Sequence, residues 1–75
     1  MEFEELRKII ADKLGADEES ITENSRFVED LGADSLDLYE IVMEVEDILQ
    51  VQVPEDELME IKTVEDALEV INNAV

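Results

Sequence analysis

Apolar residues in the first part of the chain recur at the spacing of a helix. Phe3, Leu6, Ile9, Ile10 and Leu14 share one face at 3.6 residues per turn, and Gly15 follows as a stop signal. We therefore predict a first helix over 3–14. Residues 15–34 show no sustained period and read as a long loop. We expect its apolar residues to pin it to the core, and these are Ile21, Phe27, Val28 and Leu31.

A second helix is predicted to begin at Asp34 or Ser35 and to run to about Leu49. Asp34 is the candidate N-cap. Asp37, three residues later, completes an acidic first turn that suits the positive end of the helix dipole.

Two shorter helical segments follow. Pro54 suits the first position of a short third helix, EDELMEI. Thr63 and Asp66 resemble a capping box, and a fourth helix then presents the apolar face Val64, Ala67, Leu68 and Ile71. No segment alternates like a strand. The pattern predicts one all-α domain over 1–75, a small four-helix bundle with a long loop between helices one and two and a short third helix.

The second helix has apolar residues on two opposite sides at about 100° per residue. The core side is predicted to contain Leu38, Ile41, Val42, Val45, Ile48 and Leu49. The other side holds an apolar strip of Leu36, Tyr39 and Met43, bordered by Asp37, Glu40, Glu44, Glu46 and Asp47. Single exposed apolar residues are ordinary, but three in line with an acidic border favour a docking surface for a basic partner.

Composition narrows the partners and the chemistry. The 75 residues include 23 acidic and 5 basic ones, a net charge of −18, with no histidine and no cysteine. Such a chain is repelled by nucleic acid and anionic lipid and attracted to basic proteins, and self-repulsion favours a monomer. No apolar run reaches the length of a membrane span, and the acidic start is unlike a signal peptide. We expect a soluble, cytoplasmic protein without thiol or structural-zinc chemistry of its own.

Ser35 lies among acidic residues at the start of the second helix, and three roles compete for it. It caps the helix, it is a nucleophile, or it is an attachment point for a group that another enzyme adds. A nucleophilic serine needs a base, and no histidine exists to supply one. A phosphate on Ser35 would lie at a helix N-terminus, whose free amides and dipole favour anions.

The stretch FVEDLGADSLD, residues 27–37, resembles the signature of acyl carrier proteins. The likeness extends to KIIADKLG in the first helix, the acidic second helix, the proline before the third and TVEDALEVIN near the end. It implies that Ser35 is joined through a phosphodiester to 4′-phosphopantetheine, donated by coenzyme A through a separate transferase. It also implies a non-catalytic carrier of growing acyl chains, held as thioesters, in type II fatty acid biosynthesis.

The resemblance assigns further residues. Asp34 and Leu36 flank the attachment site. Positions that family members use to meet basic patches on synthases, reductases, dehydratase, acyltransferases and the holo-carrier synthase are matched here by Leu36, Glu40, Met43, Glu46 and Asp47, and the strip and border add Asp37, Tyr39 and Glu44 as interface candidates. Acyl chains in this family fold back between the helices, which makes a cavity candidate of Val45, Leu49, Leu58, Ile61, Ala67, Leu68 and Ile71, although packing alone also explains them. Tyr39, Glu44 and Leu49 depart from residues frequent in relatives.

Other functions stay open at this stage. A polyketide, D-alanyl or peptidyl carrier shares the bundle and the modified serine. A helix-loop-helix calcium site is disfavoured, because a loop counted from Asp30 places Ser35 where glycine is needed and Ile41 where glutamate is needed. A third possibility is an acidic decoy, a protein that mimics nucleic acid and occupies a basic site on another protein. The net charge fits this role, but a decoy does not require Ser35.

Overall fold

The chain forms four helices in the predicted order. A computed structural model of the protein describes all residues from Met1 to Val75. The helices are α1 (Phe3–Leu14), α2 (Ser35–Leu49), α3 (Glu55–Leu58) and α4 (Val64–Ala74). The all-α bundle is confirmed, with a long segment between α1 and α2 and a third helix of four residues. A short 3-10 turn at Glu18–Ser20 was not predicted.

Local signals at the helix ends act as the sequence predicts. Gly15 ends α1 in the left-handed conformation with φ 66°. At α4 the Asp66 amide donates to Thr63 Oγ1 at 3.1 Å, and the Thr63 amide donates to Asp66 Oδ2 at 3.1 Å. Pro54 lies just before α3 rather than at its first position. Because α3 contains a single turn, the prediction of a helix through EDELMEI was too long.

The core lies where α1, α2 and α4 meet. α1 packs against α2 and α4, and α3 packs against α4. The side chains with at most 1% exposure are Leu6, Ile10, Ile21, Phe27, Ile41, Val45, Val64, Ala67 and Ile71. Two of them, Ile21 and Phe27, belong to the loop, so the expectation that the loop is pinned to the core is confirmed for them.

Two apolar residues that we assigned to the core are exposed. Val28 is 63% exposed, because the adjacent Phe27 points inward and turns the next side chain outward. Ala33 is buried in the same loop instead, and Leu31 is half-buried. Ile48 is 57% exposed, since it lies at the edge of the apolar arc in the last turn of α2, beyond the elements that cover Ile41 and Val45.

The loop is joined to the start of α4 by backbone hydrogen bonds. The Phe27 amide donates to the Lys62 carbonyl at 3.0 Å, and the Val64 amide donates to the Ser25 carbonyl at 3.0 Å. Between them, Arg26 and Thr63 form an isolated antiparallel bridge. This pairing holds the second half of the loop in place ahead of Ser35.

Candidate functional site

Ser35 is the one serine whose hydroxyl has no hydrogen-bond partner within the fold. The chain contains two others. Ser20 Oγ donates to the Asp17 carbonyl at 2.8 Å, and the buried Ser25 Oγ accepts from the Thr22 amide at 2.9 Å. Ser35 is exposed at the first position of α2. Its hydroxyl is therefore accessible to another enzyme.

Asp34, not Ser35, caps α2. The Asp37 amide donates to Asp34 Oδ1 at 2.9 Å, and the Asp34 amide donates to Asp37 Oδ2 at 3.3 Å. This reciprocal pair is a capping box, so Asp34 is confirmed as the N-cap and the interpretation of Ser35 as the cap is wrong. The box fixes the first turn, and Ser35 is held at the helix N-terminus with its side chain free.

An apolar cavity opens beside Ser35, between the loop, α2 and α3. Its volume is about 410 Å³. The lining residues are Phe27, Val28, Glu29, Asp34, Ser35, Leu38, Tyr39, Leu58, Met59, Ile61 and Lys62. Because the exposed Ser35 is one of its lining residues, the cavity is within reach of a group attached there.

Most of the predicted cavity residues lie elsewhere. Leu58 and Ile61 line the cavity as predicted. Val45, Ala67 and Ile71 are instead buried in the core and do not line the cavity. Leu49 and Leu68 are half-buried against that core and do not reach the cavity.

Two cavity residues that we did not predict could have been found from the sequence. Leu38 and Tyr39 follow Ser35 by three and four residues, so they share its side of α2 and both line the cavity. Phe27 reaches the cavity only through the folding of the loop, which no local pattern encodes. The hydroxyl of Tyr39 donates toward Glu55 Oε1 at 3.5 Å, across the gap between α2 and α3.

The apolar strip of α2 is exposed, with Leu36 and Met43 61–65% accessible and Tyr39 at 36%. Its acidic border is less uniform than predicted. Glu40 and Asp47 are exposed, whereas Asp37 is held in the capping box. The half-buried Glu46 accepts from the Val53 amide at 2.6 Å, and Glu44 is also half-buried. Glu40 and Asp47 are thus the acids of α2 most available to a partner.

Only one basic side chain forms ion pairs. Arg26 contacts Glu29 at 3.0 Å and Asp30 at 3.1 Å, just before the site. The hydrogen bond from Arg26 lowers the pKa of the Asp30 carboxyl below its ordinary value, and the same bond raises the pKa of Arg26. The Arg26 amide also donates to Asp30 Oδ2 at 2.9 Å, so this cluster closes the turn that leads to Ala33.

Replacing Asp30 with asparagine is expected to lower stability in a pH-dependent way. Because the pKa of Asp30 is lower in the folded chain, its ion pair stabilises the fold above about pH 4 and ceases to do so as pH falls through the folded pKa. Urea midpoints of the parent, Asp30→Asn and Glu23→Gln test this. Glu23→Gln removes an equal charge without an ion pair. Asp30→Asn should be the less stable variant at pH 7, and the gap should close in acid. A gap that does not narrow as pH falls from 7 through the lowered pKa of Asp30 would contradict the assignment.

The structure contains neither a cluster of metal-ligating side chains nor a helix that could span a membrane. No three acidic residues cluster closely enough to hold a metal ion. None of the four helices combines the length and the apolar character needed to cross a membrane.

The site fits the phosphopantetheine group that the resemblance implies. A free serine hydroxyl provides the point of attachment, and the first turn of α2 leaves backbone amides without helical partners near a phosphate at that position. The apolar walls of Phe27, Leu58 and Ile61 suit an apolar chain rather than an ion.

Comparison with known proteins agrees with the geometry of the site. Residues 4–71 match a family model described as "Phosphopantetheine attachment site". An acyl carrier protein from Thermotoga maritima is 30% identical, with TM-score 0.81 over 93% of this chain and 81% of the other. A candidate acyl carrier protein from Mycobacterium tuberculosis is 33% identical, with TM-score 0.87 over 96% of this chain and 97% of the other. The chain therefore belongs to the acyl carrier protein family of non-catalytic carriers, whose prosthetic group is 4′-phosphopantetheine.

Proposed function

We propose that Ser35 carries the phosphopantetheine arm and that the protein transports the growing chain of type II fatty acid biosynthesis between separate enzymes. The observation that carries the proposal is the exposed Ser35 hydroxyl, without a partner in the fold and beside an apolar cavity. When bound, the arm supplies the thiol that this cysteine-free chain lacks. The chain's own part is to present the hydroxyl, shelter the cargo and offer a surface to partners.

The fatty acid pathway is favoured over the D-alanyl and peptidyl carriers by the apolar walls of the cavity. Its buried walls are apolar side chains, which suit hydrocarbon and provide no side-chain partner for the amide or ammonium of an aminoacyl cargo. The synthases, reductases, dehydratase, acyltransferases and holo-carrier synthase are the proposed partners, and the cytoplasm is the proposed location. Family membership favours any of these carriers over an acidic decoy.

Intact mass measurement tests the attachment. Incubation of the purified protein with coenzyme A, magnesium and a broad-specificity phosphopantetheinyl transferase should add one phosphopantetheinyl group. Ser35→Ala should gain nothing. Ser20→Ala, which removes a different exposed serine, should be modified like the parent. If a folded Ser35→Ala variant still gains the group, or if the folded and unmodified parent gains none, the proposal is wrong.

A further inference from the structure

Lys62 is the one basic residue that lines the cavity beside Ser35. The lining also includes two carboxylates, Glu29 and Asp34, and all three charged side chains are exposed. The other four basic residues lie on α1 or in the loop, and these are Arg7, Lys8, Lys13 and Arg26. Lys62 is therefore the cation that the cavity offers to an anion joined to Ser35.

The ammonium of Lys62 has no partner in the fold. Both ion pairs of the chain belong to Arg26, although the net charge is −18 and carboxylates are abundant. Asp66 contacts Lys62 only through the backbone, since Asp66 Oδ2 accepts from the amides of Lys62 and Thr63 at 3.1 Å each. The ammonium is thus available to an anion that the chain itself does not provide.

The backbone of Lys62 is held from two sides, although its side chain is free. Its carbonyl accepts from the Phe27 amide at 3.0 Å, and its amide donates to Asp66. The side chain therefore starts from a fixed position beside the loop that leads to Ser35. Because its four-carbon stem is flexible, the ammonium can approach an anion at the cavity without a change in the backbone.

The start of α2 provides donors to a phosphodiester at Ser35 but also carboxylates that repel it. The Asp37 amide donates to Asp34 Oδ1, whereas the amides of Ser35 and Leu36 have no acceptor in the fold. Asp34 and Asp37 lie in the same turn and add negative charge there. A neighbouring cation would offset this repulsion, and a hydrogen bond between opposite charges is stronger than one between neutral groups.

We propose that the Lys62 ammonium pairs with the phosphodiester of the arm joined to Ser35 and fixes the base of the arm between the start of α2 and the start of α4. The inference rests on the proposed attachment at Ser35. It adds a positioning residue that lies outside the signature of residues 27–37 and acts whatever the cargo. The pair is exposed to solvent, so it should favour the paired arm over a free one by roughly 1.5- to 5-fold, the range for exposed ion pairs.

NMR of the lysine side chains tests the contact directly. Reductive methylation with 13C-formaldehyde labels the amines and keeps their positive charge, and spectra are recorded before and after loading of the arm at Ser35. The methyl signal of Lys62, assigned by its absence from Lys62→Arg, should shift on loading. Lys8 and Lys13 are exposed on α1 and do not line the cavity, so their signals should stay in place. Added salt should reduce the Lys62 shift, since screening weakens an exposed pair.

An arm without phosphate separates the anion from the rest of the group. Ser35→Cys is alkylated with an uncharged iodoacetamide that carries the pantetheine chain. This arm is joined at the same residue but has no negative charge, so the Lys62 signal should shift much less than it does in the phosphopantetheinyl protein. An equal shift would mean that the chain of the arm, and not its phosphate, contacts Lys62.

The phosphorus nucleus provides a second readout. The loaded protein contains one phosphorus atom, and its 31P signal should move in Lys62→Gln relative to the parent. Lys62→Arg keeps the positive charge and should keep the signal close to that of the parent. Lys8→Gln makes the same change in net charge as Lys62→Gln at an exposed position of α1, and it should leave the signal unchanged.

The outcomes separate the two proposals. A parent that is loaded at Ser35 without a shift of the Lys62 signal overturns the pairing and leaves the carrier function intact. Equal Lys62 shifts with the charged and uncharged arms, or equal 31P changes in Lys62→Gln and Lys8→Gln, overturn it as well. A parent that is not loaded at Ser35, as seen by intact mass, overturns both proposals. Shifts that are confined to Lys62 and to the arm with phosphate support the inference.

Discussion

Replacing Phe27 with alanine is expected to cost about 3–5 kcal/mol of unfolding free energy, the range for a fully buried ring. The ring is 1% exposed, and the backbone on which it sits is fixed by bonds from its amide to Lys62 and from the Ala33 amide to its carbonyl at 2.8 Å. The total free energy of unfolding of a small domain is roughly 5–15 kcal/mol, so the substitution would remove a large share of the stability. Urea unfolding followed by circular dichroism measures the loss.

The neighbouring residue provides a matched control. Val28→Ala removes apolar atoms from a side chain that is 63% exposed, so its effect should stay within about 0.5 kcal/mol. Comparable losses for the two variants would mean that Phe27 does not anchor the loop. If the larger loss is found, the same ring is both a core residue and a wall of the cavity, and stability and cargo binding cannot be changed independently there.

Neutralising Glu40 and Asp47 together is expected to slow loading by the transferase by about tenfold at low salt, because exposed charges steer the encounter with a basic partner. Both carboxylates are exposed on α2 on the side of the Leu36–Met43 strip. The effect should shrink as salt is added, since screening weakens the attraction in the parent. Stopped-flow or discontinuous mass measurements of the loading rate between low and physiological salt provide the test.

A control pair on α4 separates steering from general charge. Glu65→Gln with Glu69→Gln makes the same change in net charge at exposed positions of a different helix. It should slow loading much less than the Glu40→Gln and Asp47→Asn pair. Equal slowing would show that only the total charge matters. An unchanged rate for the α2 pair at every salt concentration would contradict its place in the interface.

The end of α1 and the starts of α2 and α4 were predictable because each depends on a few nearby residues. Gly15 and the Asp34–Asp37 and Thr63–Asp66 pairs act through neighbours four or fewer positions away, and the structure places them as predicted. Val28 and Ile48 were misassigned for the opposite reason. Periodicity shows which residues share a face, but the width of the face that is covered depends on elements that are distant in sequence.

Ser35, the proposed attachment residue, was predictable from local sequence, whereas the cavity depends on residues that are distant in sequence. Ser35 stands out in sequence because its chemistry is local: a serine beside a helix start, with no base to activate it. Leu58 and Ile61 were predicted as cavity residues, whereas Phe27 was missed because it meets them only after the loop has folded against the start of α4 and α3 has packed on α4. Helical spacing from Ser35 alone finds Leu38 and Tyr39 and cannot find the facing wall.

The bridge between the loop and α4 bears on when the protein can mature. Ser25 and Phe27 find their backbone partners in Val64 and Lys62, near the end of the chain. During synthesis, which proceeds from the N-terminus, Ser35 emerges well before the residues that hold the preceding loop in place. A transferase that recognises the folded site would therefore need Lys62 and Val64 as well as Ser35, so the bridge links recognition of the site to the folding of the loop against the start of α4.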